Sequence, residues 1–188
     1  MGLPTLLENP FPPHGTWQGL SLGWVSTMWL SSIVSRGDHR LVHVEPWVAQ
    51  RLGTLGATTG QDVQRVDCTD DRLEIVWRRL QDDPPWAAFA SALNPHTVRV
   101  YALSSDRVPV DSPSASASAT VTEGGLFPCG HRKDERPDWP QVKVRQAVLA
   151  PVGMPLATEV VSGERADAPR DVPCIARVQA SVGRHGLW

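Results

Sequence analysis

The amino-acid sequence predicts an α+β chain, helical in its first half and strand-bearing in its second. Three observations carry that prediction. Apolar residues recur every three to five positions between residues 17 and 93, the period of an amphipathic helix. From residue 98 onward apolar and polar residues alternate in short runs, the period of a strand. Seventeen prolines and 15 glycines in 188 residues keep the elements short. A hydrophobic fraction of 41% and a charged fraction of 20% exclude wholesale disorder. The change of period divides the chain into a helical N-terminal domain, 1–97, and a second domain, 98–188.

The first helix is expected over 17–35, where Leu20, Trp24, Met28 and then Trp29 and Ile33 recur at helical intervals. A second opens at Glu45-Pro46, because proline lacks an N–H that the first helical position does not use, and runs through Trp47, Val48, Leu52 and Leu55. Thr69 followed by Asp70 and Asp71 places a hydroxyl at an N-cap and acids at the positive end of the helix dipole. That third helix sets Leu73, Val76, Trp77 and Leu80 on one face. Asp83-Pro84-Pro85 opens a fourth, with Trp86, Phe89, Ala90 and Leu93 inward and an end near Asn94-Pro95. The four are expected to form a small bundle.

In the second half, residues 98–102 alternate as a strand, and Val108 and Val110 repeat the alternation just before Asp111. The run 112–120, SPSASASAT, and the polar, proline-bounded stretch 128–140 read as loops. Val142 to Leu149 and Leu156 to Val161 form strands joined by the turn Ala150-Pro151-Val152-Gly153. A helix follows from about residue 169, with Ile175, Val178 and Val182 on one face and Gly183 or Gly186 as its cap.

Charge and cysteine content exclude several classes of function. The net charge is -2; residues 1–97 carry 7 basic and 10 acidic side chains and residues 98–188 carry 11 and 10, so neither half has the basic footprint of a DNA-coating protein. Asn9 to Ser35 holds no Lys, Arg, Asp or Glu, yet its prolines and hydroxyl residues disqualify it as a membrane span, and the start of the chain lacks a basic leader region. A cytoplasmic location without membrane contact is expected. Cys68, Cys129 and Cys174, odd in number and widely spaced, argue for a reducing compartment and against a disulfide framework. Cys129 and His131 lack the paired ligands of a zinc site, and His39 and His43 lack the glutamate of a metalloprotease helix. His131, Arg132, Lys133 and Arg136 form the most basic cluster, interleaved with Asp134, Glu135 and Asp138. Such a loop suits either DNA phosphates or mutual salt bridges. Asp167 reads as a helix cap.

Four segments together resemble a known family. They are HGTWQGLSLGWVSTMWLSSIVSRGDHRLVHVEPW (14–47), TGQDVQRVDCTDDRLEIVWRRL (59–80), GHRKDERPDWPQVKVRQAVLAPVGMPLATEVVSGERAD (130–167) and ARVQASVGRHGL (176–187). The chain is similar to the N-terminal part of bacterial insertion-sequence transposases of the IS4 superfamily, IS1634-type. The resemblance implies an α+β organisation in which an all-helical N-terminal domain precedes an incomplete RNase H-like α/β domain, comprising the first strand, the hairpin and the first helix. It implies that Asp111 is the first catalytic carboxylate and a Mg²⁺ ligand. The basic loop residues His131, Arg132, Lys133 and Arg136 become candidate DNA contacts, and the helical domain a candidate for recognising transposon ends.

DNA cleavage and strand transfer in that family need two Mg²⁺ ions about 4 Å apart, held by several carboxylates. The second aspartate and the glutamate are expected beyond the residues present, so this chain on its own is expected not to cut DNA. It also departs from the family pattern where Ser112-Pro113-Ser114 replaces a threonine run and where Arg132, Glu135 and Trp139 stand in the polar loop. The alternative is a non-catalytic DNA-binding or oligomerising protein that regulates full-length transposase. Self-association and pairing with full-length transposase are accordingly expected partners beside DNA.

Overall fold

The computed structural model describes residues 2–116, 121, 140–162 and 171–182, with the backbone alone at 114–116 and 171–173. The chain is α+β, and it divides into two compact units between Leu93 and Asn94. The expected contact loop around His131, Arg132, Lys133 and Arg136 lies outside the described residues, as do Cys129, Trp139 and Asp167.

The first unit is built from helices α1 (Leu3–Glu8), α2 (Leu22–Arg36), α3 (Val44–Ala49), α4 (Leu52–Thr59), α5 (Asp70–Leu80) and the first part of α6 (Asp83–Val100). Short 3₁₀ turns at Leu41–His43 and Arg65–Cys68 connect them. Periodicity does not reveal α1, since its six residues make fewer than two turns. It forms because it docks on α2: a Cβ at Gly23 would stand 2.3 Å from the Pro4 carbonyl oxygen, so only glycine permits the approach. Leu7 and Phe11 are thereby buried. The expected helix over 17–35 begins later, at Leu22. The Ser21 hydroxyl caps it by accepting the Trp24 N–H, and Gly19 upstream adopts a φ of 73°. The expected helix from Glu45 is two helices, α3 and α4, because the chain leaves helical geometry at Arg51 (φ -130°). α5 starts at the Thr69 cap as anticipated and buries Leu73 and Val76; Trp77 lies half-exposed, its ring stacked on Trp29 with centroids 6.2 Å apart.

A buried carboxylate ties three of these segments together. Asp67 is 1% exposed and accepts the Leu20 N–H at 3.0 Å and the Gln64 N–H at 2.9 Å. Arg72 lies 3.7 Å from the same carboxylate, donates to the Leu20 carbonyl at 3.1 Å and stacks over Trp17 at 4.4 Å. The Trp17 indole N–H also donates to the Leu20 carbonyl, at 2.7 Å. Gly19 is required here: a Cβ on it would lie 2.2 Å from the Asp67 Oδ1. Burial, with the neighbouring Asp67 charge, pushes the adjacent Cys68 thiol from its ordinary 9.0 up to about 12.

The second unit is a three-stranded antiparallel sheet packed on helix. β1 (Val110–Asp111) and β2 (Ser114–Ser116) lie along one edge of β3 (Gln141–Leu149), and β4 (Met154–Ser162) lies along the other. β1 and β2 are one strand in effect. Val110 faces Ala147, Asp111 faces Gln146 and Ser114 faces Lys143, a single unbroken register. The expectation of a loop throughout 112–120 is therefore corrected at 114–116: Pro113 does not end the strand, because its carbonyl still accepts the Val144 N–H at 2.9 Å. A bulge at Leu156 brings Ala157, not Leu156, opposite Ala147, so Leu156 and Ala157 are both buried. Helix α7 (Asp171–Val182) covers the face bearing Val108, Ala147, Leu149 and Ala157, contributing Cys174 and Val178.

The expected strand over 98–102 is overturned. Residues 98–100 are the last turn of α6, which runs through Pro95. Proline removes one helical hydrogen bond there, and tertiary anchoring offsets the loss. The Asn94 side-chain amide, 6% exposed, donates to the Leu156 carbonyl at 2.5 Å and to Ser181 Oγ at 3.2 Å, while Val98 packs on the second core.

Asp67→Asn turns an acceptor into a donor facing N–H donors and removes the anion beside Arg72, so it is expected to cost about 2–4 kcal/mol. Urea titration followed by tryptophan fluorescence checks this, since six of the eight tryptophans lie in residues 1–93. Raising the folded pKa of Cys68 means its contribution to stability is complete below pH 9.0 and is lost as pH climbs toward about 12. In native protein at about pH 8, Cys68 should resist iodoacetamide and react only after unfolding, as read by mass spectrometry.

Candidate functional site

Asp111 is placed by the alternation of the strand that carries it. Val108 and Val110 turn to the helix-covered face, and Asp111 therefore turns to the opposite, outer face, where it is exposed. It shares a cross-strand row with Gln146 of β3 and Thr158 of β4. Its Oδ1 accepts the N–H of the next residue, Ser112, at 2.8 Å. The row thus presents a carboxylate, an amide and a hydroxyl on one open sheet surface.

This arrangement supplies one carboxylate, where a pair of Mg²⁺ ions needs several. Among the described residues no three His, Cys, Asp or Glu side chains come together as a cation site. The described residues do not fit a two-Mg²⁺ centre, and no catalytic step can be drawn through one.

Other candidates are placed as follows. Cys174 is buried in the second core against the sheet; Cys129 and His131 lie outside the described residues. His39 and His43 do not share a helix. His43 sits in the 3₁₀ turn with its Nδ1 2.6 Å from Asp38 Oδ2, while Arg40 holds the same carboxylate at 2.9 Å. The Arg40 side chain and backbone, followed by His43, keep the Asp38 carboxyl far below the usual carboxylate range. This is a local clasp at the end of α2, not a metal pair.

One polar cluster escaped the sequence reading. Arg145, 2% exposed on the covered face of β3, donates from Nη1 to Glu159 Oε2 at 3.2 Å, and Arg177 of α7 donates to Glu159 Oε1 at the same distance. A regular hairpin through the turn at 150–153 would set Thr158 opposite Arg145. The bulge at Leu156 puts Glu159 there instead, and nothing in the residue pattern marks that bulge. The three charges link the hairpin to α7 on the sheet face opposite Asp111.

In the first unit a shallow cleft of about 520 Å³ is lined by Glu8, Gly19, Leu20, Ser21, Trp24, Gln61 and Asp62. The Ser21 hydroxyl donates to the Glu8 carboxylate. Two acids and no base line this cleft, which suits it poorly to a nucleic-acid phosphate.

No helix of the described residues is long and apolar enough to cross a membrane. Compared with known proteins, the chain matches no family model, no curated protein and no solved structure.

Proposed function

We propose that the chain acts in DNA transposition as the N-terminal part of a DDE-type insertion-sequence transposase, with an incomplete RNase H-like second domain. The observation that carries this reading is the order of the second unit. The strand bearing Asp111 runs antiparallel beside the first strand of a hairpin, and a helix then returns over the sheet face opposite the carboxylate. In this reading Asp111 is the first carboxylate of a Mg²⁺ site whose other ligands the described residues do not provide. DNA would be held by His131, Arg132, Lys133 and Arg136 and by the helical domain 1–97.

A second reading has its own support. Residues 1–97 hold 7 basic against 10 acidic side chains, a balance that opposes tight phosphate contact. A non-catalytic protein that oligomerises, or that pairs with full-length transposase and regulates it, accommodates that balance.

Purified chain mixed with DNA carrying candidate inverted repeats from the sequence flanking its gene should bind without nicking it in Mg²⁺. Nicking by the chain alone would overturn the incomplete-site assignment, and indifference to the repeats would favour the second reading. Lys133→Ala with Arg136→Ala should lower the slope of log K against log salt by about two, checked by fluorescence anisotropy. An unchanged slope removes the loop from the contact surface.

A further inference from the structure

The extended segment 107–116, which contains β1 and β2, is paired on one side only: among the described residues no strand joins its other edge. The carbonyls of Arg107, Pro109 and Pro113 accept from Ala150, Val148 and Val144 of the β3 side at 3.0, 3.1 and 2.9 Å. In an antiparallel ladder the N–H and C=O of one residue point the same way, so the odd-numbered residues here face β3 and the even-numbered residues face the open edge. Both prolines consequently fall on the inward row. The outward row keeps its donors at Val108, Val110, Ser112 and Ser114, and the Ser112 N–H is the one that another of the described residues takes, through the Asp111 carboxylate. An edge of this kind is a template for a further strand.

We propose that the occupant is the same strand of a second copy, paired antiparallel about a two-fold axis at Pro109. Charge selects this partner and this register. Arg107 and Asp111 are the charged residues of the segment 107–116; both are exposed, and both lie on the outer face because they differ by an even number of positions. With the axis at Pro109, Val108 of one copy faces Val110 of the other across the outward hydrogen-bonding row. Arg107 of one copy then faces Asp111 of the other, twice by symmetry. An axis at Arg107 or Asp111 would set like charges face to face, and axes at Val108 or Val110 leave both charges without an opposite. In the pair, the Asp111 carboxylate exchanges its bond to the Ser112 N–H for the Arg107 guanidinium of the other copy. Val108 and Val110 meet their counterparts on the covered face, which joins the two apolar cores. The inference rests on the edge itself and not on the transposase reading.

Sedimentation velocity across a concentration series tests it on the whole chain. Wild-type protein should show a concentration-dependent dimer. Arg107→Asp and Asp111→Arg should each raise its dissociation constant about tenfold or more, and the double variant R107D/D111R should restore it to within about threefold of wild type. Val110→Pro, which deletes an outward donor, should abolish the dimer. Should that variant fail to fold, the two exposed charge positions still decide the matter. A monomer at every concentration, a dimer indifferent to the single charge reversals, or a double variant no better than the singles would each overturn the proposal.

Discussion

The second unit depends on one unbroken backbone register between residues 107–116 and β3. A strand has a side-chain period of two, so a slip of one residue would exchange the two faces completely. The observed register sends Val108 and Val110 into the core with Ala147 and Leu149, and sends Asp111 to the open face. It also decides which backbone groups remain available at the edge. Two prolines in a strand ordinarily signal its end. Here each still contributes its carbonyl to the ladder, and the missing N–H groups are lost on the paired side. The same register thus governs the position of the candidate ligand and the competence of the edge to accept another strand.

The first unit rests on a different device. Asp67 joins the segment before α2 to the 3₁₀ turn before α5 by accepting backbone N–H groups from both, while Arg72 and Trp17 close over it. A carboxylate so deeply buried is tolerable because donors and a guanidinium surround it. It converts two irregular connections into a fixed corner between helices. Gly19 is the backbone condition for that corner.

Much of this architecture was legible in the residues. The Thr69 cap with Asp70 and Asp71, the Leu73–Val76 face, and the hairpin around Ala150–Gly153 follow from local chemistry that tertiary contacts do not override. Local pattern fails where a distant contact decides the outcome. α1 exists because Gly23 lets it approach, and α6 passes Pro95 because Asn94 is held by Leu156 and Ser181. Glu159 meets Arg145 because of a bulge that pattern alone cannot place. For the site, alternation located Asp111 on a strand, whereas its neighbours Gln146 and Thr158 required the register. The transposase reading therefore draws its chemistry from resemblance and its spatial support from strand order.

Placement of Asp111 is the point on which the functional account turns, and nuclear Overhauser effects between backbone protons test it most directly. Val110–Ala147 and Ser114–Lys143 are pairs whose facing N–H groups point away from each other, the arrangement that brings Hα atoms of opposite strands closest. Strong Hα–Hα effects within both pairs are the result this account predicts. Their absence, or their displacement by one residue along β3, would put Asp111 on the covered face or off the sheet and contradict it.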